Sequence, residues 1–268
     1  MSLFDESAEV AWRERFGSEA PAGAERIAPF LTHRSVRDFS AEPIDEATIA
    51  GLVGAAQSAA TSSNLHAYSL VSVQAPSSRK ALRAITGDQR QVEECAWFFA
   101  FVLDLNRLGR VAELAGMDPT GLDTAEMYTV GVVDAALAAE RMVVAAESLG
   151  FGICYVGSLR NDPPAVAELL GLPERTFALF GLCVGVPAPD ADARIKPRLG
   201  PEVVWHRERY ASGDLHEYDA RLRAFYEREG INAGLGWIGR TGRRVTERGL
   251  AGRETLLEFL RGRGLLRR

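Results

Sequence analysis

The sequence predicts an α+β fold in which a central mixed sheet is flanked by helices. Three observations support this class: strands and helices alternate in the middle of the chain, both terminal thirds have mainly helical patterns, and one long helix is apolar on most sides. With 268 residues, 47% of them hydrophobic and 25% charged, the chain can bury a substantial core without disulfides or metals.

The predicted helices are recognised by apolar spacing and by capping residues. After Asp45, apolar residues recur every three or four positions, which is typical of a helix with one buried face. Tyr128–Leu149 has almost no polar face, so it must be central or packed against another subunit, and Gly150 follows as its cap. The remaining predicted helices are Val10–Phe16, the segment from Pro163 to Gly171 capped by Asp162, Leu215–Glu229 and Arg253–Leu260.

The predicted strands are short apolar runs bounded by turn residues. Ala96–Leu103 and Thr176–Val186 lack alternation, which indicates burial on both faces. The other two strands are Tyr68–Gln74 and Phe151–Val156.

Charge and cysteine content narrow the function classes. A net charge of -5 argues against nucleic acid as a partner, since phosphate binding needs an electropositive face. Residues 221–268 nevertheless contain 12 Arg against 5 Glu, so this basic segment is either a solvated surface or a contact for an anionic cofactor. Three cysteines without C-x-x-C spacing predict buried free thiols, and no signal pattern or membrane-length apolar run is visible. We therefore expect a cytoplasmic protein.

Several motifs are excluded by their context. Residues 234–239 match G-x-G-x-x-G, but a polar helix precedes them and only 29 residues follow, so we expect a glycine-rich loop rather than a dinucleotide fingerprint. The four histidines lack zinc-ligand spacing, and no G-x-S-x-G nucleophile motif is present.

Two basic clusters could bind one phosphate. In H-R-S-V-R at 33–37, Arg34 and Arg37 could converge on a phosphate if the segment forms a helical turn, although the pattern is also common on surfaces. Lys196-Pro197-Arg198 is the second cluster, and Lys196 is one of only two lysines in the chain. A compact ammonium at that position suits a single carbonyl or ring nitrogen, while a solvated loop is the alternative.

Two further segments offer hydrogen-bonding groups. At residues 155–160 the chain leaves a strand through Gly157, which permits close approach of a ligand to the backbone. At 61–64 the chain has hydroxyls and an amide that suit a ribityl chain or merely end the preceding helix.

In order along the chain, these segments resemble the FMN-dependent nitroreductase family, in particular its NADPH-dependent nitroreductase and flavin reductase group. The matching segments are H-R-S-V-R-D-F at 33–39, P-I-D-E at 43–46, T-S-S-N-L at 61–65, T-G-D-Q at 86–89, G-V-V-D-A-A-L-A-A-E at 131–140, residues 145–161, L-F-G-L-C-V-G-V-P at 179–187 and K-P-R-L at 196–199. The resemblance implies a nitroreductase-like FMN-binding fold, an intertwined homodimer, and an FMN-binding domain over 31–230 between an N-terminal helical extension (1–30) and a basic C-terminal helical extension (231–268).

The resemblance also assigns roles to residues. Lys196 is expected at the flavin N1/O2 edge as the one electrostatic catalytic group. The other expected FMN contacts are His33, Arg34, Ser35, Arg37, Thr61, Ser62, Ser63, Gln89, Tyr155, Val156, Gly157, Ser158 and Arg198, with the serine run coming from the partner subunit. Arg240, Arg243 and Arg244 are expected to contact a nicotinamide 2′-phosphate, since Ala233-Gly234-Leu235-Gly236 replaces the family's arginine pair. Asn64 likewise replaces an aromatic residue.

The implied activity is an FMN-dependent oxidoreductase that takes hydride from NADPH or NADH. Nitroaromatics, quinones or free flavin would accept the electrons in a ping-pong cycle, without a metal, a membrane or nucleic acid. The alternatives are a flavin-storage protein, and a reductive dehalogenase or flavin-degrading enzyme of the same fold.

Overall fold

The computed structural model describes residues 4–231 and 234–268. The strands are β1 (Tyr68–Val73), β2 (Trp97–Asp104), β3 (Gly152–Val156) and β4 (Thr176–Gly185). The helices are α1 (Ala8–Phe16), α2 (Ala28–Leu31), α3 (Glu46–Gln57), α4 (Pro76–Ile85), α5 (Gln91–Glu94), α6 (Asn106–Leu114), α7 (Ala125–Ser148), α8 (Pro163–Leu169), α9 (Pro201–Val204), α10 (His216–Arg228), α11 (Trp237–Arg244), α12 (Glu247–Leu250) and α13 (Leu256–Gly262).

The chain divides into two compact units that are discontinuous in sequence. The helical unit comprises the residues up to Arg34 together with Ala193–Ala251, and the sheet unit comprises Ser35–Asp192 together with Gly252–Arg268. The three consecutive segments that the resemblance implies, 1–30, 31–230 and 231–268, remain a prediction.

The sheet unit is built on a sheet with the strand order β1-β2-β4-β3. These strands all pair antiparallel, whereas a mixed sheet was expected. The parallel component is an isolated bridge between Ser35 and Ile153 on the open edge of β3. Gly152 permits this approach, since a Cβ there would lie 2.7 Å from the Cβ of Val36.

Apolar residues fill both faces of this sheet. β2 is buried along almost its whole length, as its unbroken apolar run predicted. On one face, the buried side chains of α3 and α7 pack against Phe99, Phe101 and Leu103. On the other face, Phe98 and its neighbours pack with α4 and α8, and the three cysteines are buried free thiols as predicted.

The caps predicted from sequence are confirmed. Asp45 accepts the Thr48 N–H at 2.9 Å and begins α3, and Asp162 accepts the Ala165 N–H at 3.1 Å and begins α8. The Thr48 bonds lower the pKa of Asp45 below its ordinary value. After α7, Gly150 takes φ 81°, the left-handed conformation that glycine adopts at little cost.

In the part of the helical unit that the structure describes, short helices surround small apolar clusters, of which two concern the site. One cluster joins Ala8 and Ala11 of α1 to Leu31 and Ile195. The other surrounds Tyr218, Leu222 and Phe225 of α10.

The expected glycine-rich loop at 234–239 is wrong for its second half, because Trp237–Arg244 forms α11. The cause is a tertiary contact: the carboxylate of Asp219 accepts the Ile238 N–H at 2.7 Å and caps this glycine-containing helix. Helices α4 and α6, of 10 and 9 residues, were also missed. No helix in the described part of the chain is both long and apolar enough to cross a membrane.

Candidate flavin site

The basic motif at 33–37 is extended rather than helical. Ser35 bridges to Ile153, and the Val36 N–H donates to the Ile153 carbonyl at 2.8 Å. The helical turn under which Arg34 and Arg37 could converge on one phosphate is therefore not formed, because a strand edge offers the backbone groups of this segment a partner. Alternate side chains of an extended segment share one side, so Ser35 and Arg37 lie on the same side, and Arg37 is exposed. Arg37 has no hydrogen bond or ion pair with any residue that the structure describes.

Arg34 has a different environment from Arg37. Its guanidinium is buried, donates to the Thr32 carbonyl at 3.1 Å and forms an ion pair with Glu6 at 2.7 Å. No local sequence pattern indicates this partner, which is 28 positions away. Arg34 is thus largely occupied by groups of the helical unit, and its contact with a phosphate remains a prediction.

The Lys196-Pro197-Arg198 segment is held at several backbone groups. The Arg198 N–H donates to the Arg15 carbonyl at 2.7 Å, and the Tyr218 hydroxyl donates to the Pro197 carbonyl at 3.3 Å. Burial raises the pKa of Tyr218, so this hydroxyl stays protonated and can donate. The Arg198 side chain is exposed and forms no ion pair with a described carboxylate, which leaves its charge available to an anion.

The predicted strand exit and Gln89 meet in the sheet unit. The Gln89 amide nitrogen donates to the Ser158 hydroxyl and, at 2.9 Å, to the Thr86 carbonyl. The side-chain amide of Gln91 donates to the Gln89 Oε1 at 2.7 Å. The structure thus brings together two residues 69 positions apart that the sequence assigned to one site.

Tyr155, at the end of the same strand, is 38% exposed, and its hydroxyl donates to Glu140 at 3.2 Å. Burial, with the Glu140 carboxylate as a second cause, raises its pKa well above the ordinary tyrosine range. Tyr155 is therefore a hydrogen-bond donor at any working pH and not a base.

The serine loop has a strained backbone fixed by a buried carboxylate. Ser63, Asn64 and His66 have φ of 47°, 56° and 50°, a region that side chains with a Cβ rarely occupy. Asp134, fully buried on α7, accepts the Ser62 N–H at 2.9 Å and the Ala67 N–H at 3.1 Å. Sequence reasoning missed Asp134, although a lone acidic residue in an apolar helical run was the available signal.

The three C-terminal arginines differ in availability. Arg240 lies 4.2 Å from the ring centre of Tyr226, and its Nε donates to the Leu235 carbonyl. Arg244 donates to the Gly249 carbonyl. Arg243 is exposed, and its side chain has no hydrogen bond or ion pair among the described residues. Ala233, part of the segment that replaces the family's arginine pair, lies outside the described residues.

The predicted site residues are thus divided between the two units. Their positions within the units are as follows: the sheet unit contains Ser35, Arg37, Thr61, Ser62, Ser63, Gln89, Tyr155, Val156, Gly157 and Ser158, and the helical unit contains His33, Arg34, Lys196, Arg198, Arg240, Arg243 and Arg244. Of these, the contacts bring Ser35 to the edge of β3 and Gln89 to Ser158 at the exit of that strand.

Comparison with known proteins identifies the class to which this fold belongs. The model of the nitroreductase family matches residues 31–186, and that of the family's C-terminal domain matches residues 196–268. The chain belongs to the nitroreductase family. Since this is a family of reductases, the predicted class of enzyme, an oxidoreductase, is confirmed.

Individual relatives agree with this assignment. The chain is 41% identical over 202 residues to an "NADPH-dependent oxidoreductase" of Staphylococcus epidermidis, covering 73% of this chain and 80% of that protein. It is 39% identical over 207 residues to "FMN reductase (NADPH)" of Bacillus subtilis, covering 75% and 82%. The structure of NfrA1 from B. megaterium superposes with a TM-score of 0.84 at 35% identity, covering 90% of this chain and 99% of that one. The fold predicted from the resemblance is confirmed.

Proposed function

We propose that this chain is an FMN-dependent oxidoreductase that takes hydride from NADPH or NADH and passes electrons to small aromatic acceptors. Membership of the family and the name of the B. subtilis relative support both FMN and NADPH. The observation that carries the proposal is the convergence at β3, where Ser35 lies on the strand edge and Gln89 bonds Ser158 at the strand exit.

The residues present fit FMN by their chemistry. A 5′-phosphate has close to two negative charges and is best bound by guanidinium groups that are not already neutralised. Arg37 and Arg198 meet this condition, since each is exposed and neither forms an ion pair with a described carboxylate. Arg34 fits less well, because Glu6 already neutralises it. We therefore assign the phosphate mainly to Arg37 and Arg198, with His33 and Ser35 beside them.

The polar groups at the exit of β3 suit the edge of a planar heterocycle. Gln89 and the backbone from Tyr155 to Ser158 provide donors and acceptors, and Gly157 permits close approach. When bound, FMN supplies the hydride and electron chemistry, and the protein supplies orientation and electrostatics. Lys196 would place a positive charge at the N1/O2 edge, where a fixed cation stabilises negative charge that develops on reduction.

A homodimer would complete this site. The exposed face of α7 includes Val133, 47% exposed, and Leu137, 44% exposed, in a helix whose other face is in the core. A second copy of the chain would cover these side chains and bring its Thr61–Ser63 loop to the flavin. This arrangement also explains why a strained loop is anchored so firmly by Asp134.

The physiological acceptor belongs to a broad class. An open flavin face that is shared in turn by nicotinamide and acceptor would serve nitroaromatics, quinones or free flavin, in a ping-pong cycle without a side-chain nucleophile. The test is anaerobic: NADPH or NADH should bleach the bound flavin, and a nitroaromatic or quinone added afterwards should restore its colour. In this anaerobic test, a flavin-storage protein would keep its colour with either nucleotide. In a second test with oxygen as the oxidant, a flavin-degrading enzyme would fail to recover its colour.

A further inference from the structure

We propose that Arg15, in helix α1, is a positioning residue that holds together the two segments predicted to bind the phosphate. These segments are the basic motif at 33–37, which Arg15 contacts at His33, and Lys196–Arg198. The proposal rests on the proposed function, in that it takes these segments to bind the FMN phosphate. It assigns a role to α1, which precedes residue 31, where the match to the nitroreductase family begins.

The side chain of Arg15 holds the first segment. Only 5% of Arg15 is exposed, and its guanidinium donates from Nε to the Leu31 carbonyl at 2.7 Å and from a terminal nitrogen to the His33 carbonyl at 2.6 Å. The planar fork of an arginine fixes two carbonyls at a set spacing, which a lysine cannot do. Arg15 of α1 thereby holds the backbone from Leu31 to His33, which leads into the basic motif.

The backbone of Arg15 holds the second segment. Its carbonyl accepts the Arg198 N–H at 2.7 Å and the Arg221 guanidinium at 3.0 Å. Arg221 donates also to the Arg198 carbonyl at 3.1 Å, so both backbone groups of Arg198 are fixed. One residue of α1 is therefore bonded at its two ends to the two segments that the sequence assigned to one phosphate.

Apolar packing keeps α1 at this position. Ala8 and Ala11 pack against Leu31 and Ile195, which precede the two segments by two residues and by one. A binding site formed from separated segments gains affinity when the segments are ordered before the ligand arrives, because less entropy is lost on binding. Arg15 would provide that order without touching the phosphate.

The experiment compares FMN with riboflavin, which lacks the phosphate, by fluorescence titration of the apo-protein. For Arg15→Ala we expect about a tenfold loss of FMN affinity, equivalent to about 1.4 kcal/mol, with riboflavin affinity changed by less than about twofold. Arg13→Ala is the matched control on the same helix, since Arg13 is exposed and its side chain pairs, among the described residues, only with Glu9 at 2.9 Å. It should leave both affinities unchanged.

Two milder variants keep the test decisive if Arg15→Ala does not fold. Arg15→Lys keeps the charge but not the fork, and Arg221→Ala removes the bridge between the Arg15 and Arg198 carbonyls. Both should lower FMN affinity in preference to riboflavin affinity. Equal losses of FMN and riboflavin affinity, or unchanged FMN affinity in a folded Arg15→Ala protein, would overturn the role of Arg15. A wild-type protein that binds riboflavin as tightly as FMN would instead refute the phosphate assignment of the proposed function, and this inference with it.

Discussion

The buried carboxylate of Asp134 should determine the stability of the serine loop. Its two oxygens accept the N–H groups of Ser62 and Ala67, and the residues between them include three in the left-handed region. Each left-handed residue with a side chain costs about 1–3 kcal/mol, so this loop conformation needs bonds that offset the cost. Asp134 is the carboxylate that anchors both ends of the loop.

The magnitude follows from these bonds. A hydrogen bond to a charged group contributes about 1.5–3 kcal/mol, so Asp134→Ala, which removes two, should lower the free energy of unfolding by about 3–5 kcal/mol. Asp134→Asn keeps the shape but has a single acceptor oxygen, and its amide N–H₂ would face a second donor. We expect a loss of about 1.5–3 kcal/mol for this variant.

Urea unfolding of the apo-protein is the appropriate assay, because bound cofactor would add its own stabilisation. Amide hydrogen exchange at Ser62 and Ala67 should accelerate in Asp134→Asn. The control is Glu126→Gln on the same helix, an exposed carboxylate in its first turn whose change should cost less than about 1 kcal/mol. The reasoning is refuted if Asp134→Asn matches this control both in unfolding and in exchange at the two amides.

Three other predictions concern the proposed function. Arg37→Ala and Arg198→Ala should each weaken FMN binding by about 1.5–3 kcal/mol, measured by fluorescence titration, and wild-type affinity in both would exclude the phosphate assignment. Wild type should prefer NADPH to NADH only modestly in kcat/KM, and Arg243→Ala with Arg244→Ala should reduce that preference; a strong preference that survives would place the 2′-phosphate elsewhere. Light scattering should give twice 29.1 kDa for the wild type and a smaller mass for Leu137→Asp, whereas an FMN-binding wild-type monomer would contradict the dimer.

Features that depend on local sequence could be predicted well. Asp45 and Asp162 cap helices through N–H groups three residues away, and Gly150 ends α7 through its own backbone freedom. Apolar runs likewise located the four strands, because burial on both faces requires them. These signals lie within a few residues of the structure they determine.

Features that depend on distant partners could not be predicted. Two glycines in Trp237–Arg244 oppose a helix, and Asp219 of α10 supplies the cap that permits it. Arg34 resembles a free phosphate ligand in the sequence, yet Glu6 neutralises it within a partly buried ion pair. The extended conformation of the basic motif at 33–37 likewise depends on the open edge of β3, which cannot be recognised before the strand order is known.

The identity and amount of the bound cofactor test the central claim most directly. The account predicts that protein purified without added flavin, or reconstituted with it, is yellow and releases one FMN per 29.1 kDa chain on denaturation, identified by its mass. A colourless protein that takes up no FMN on reconstitution, or one that releases a different flavin, would contradict it.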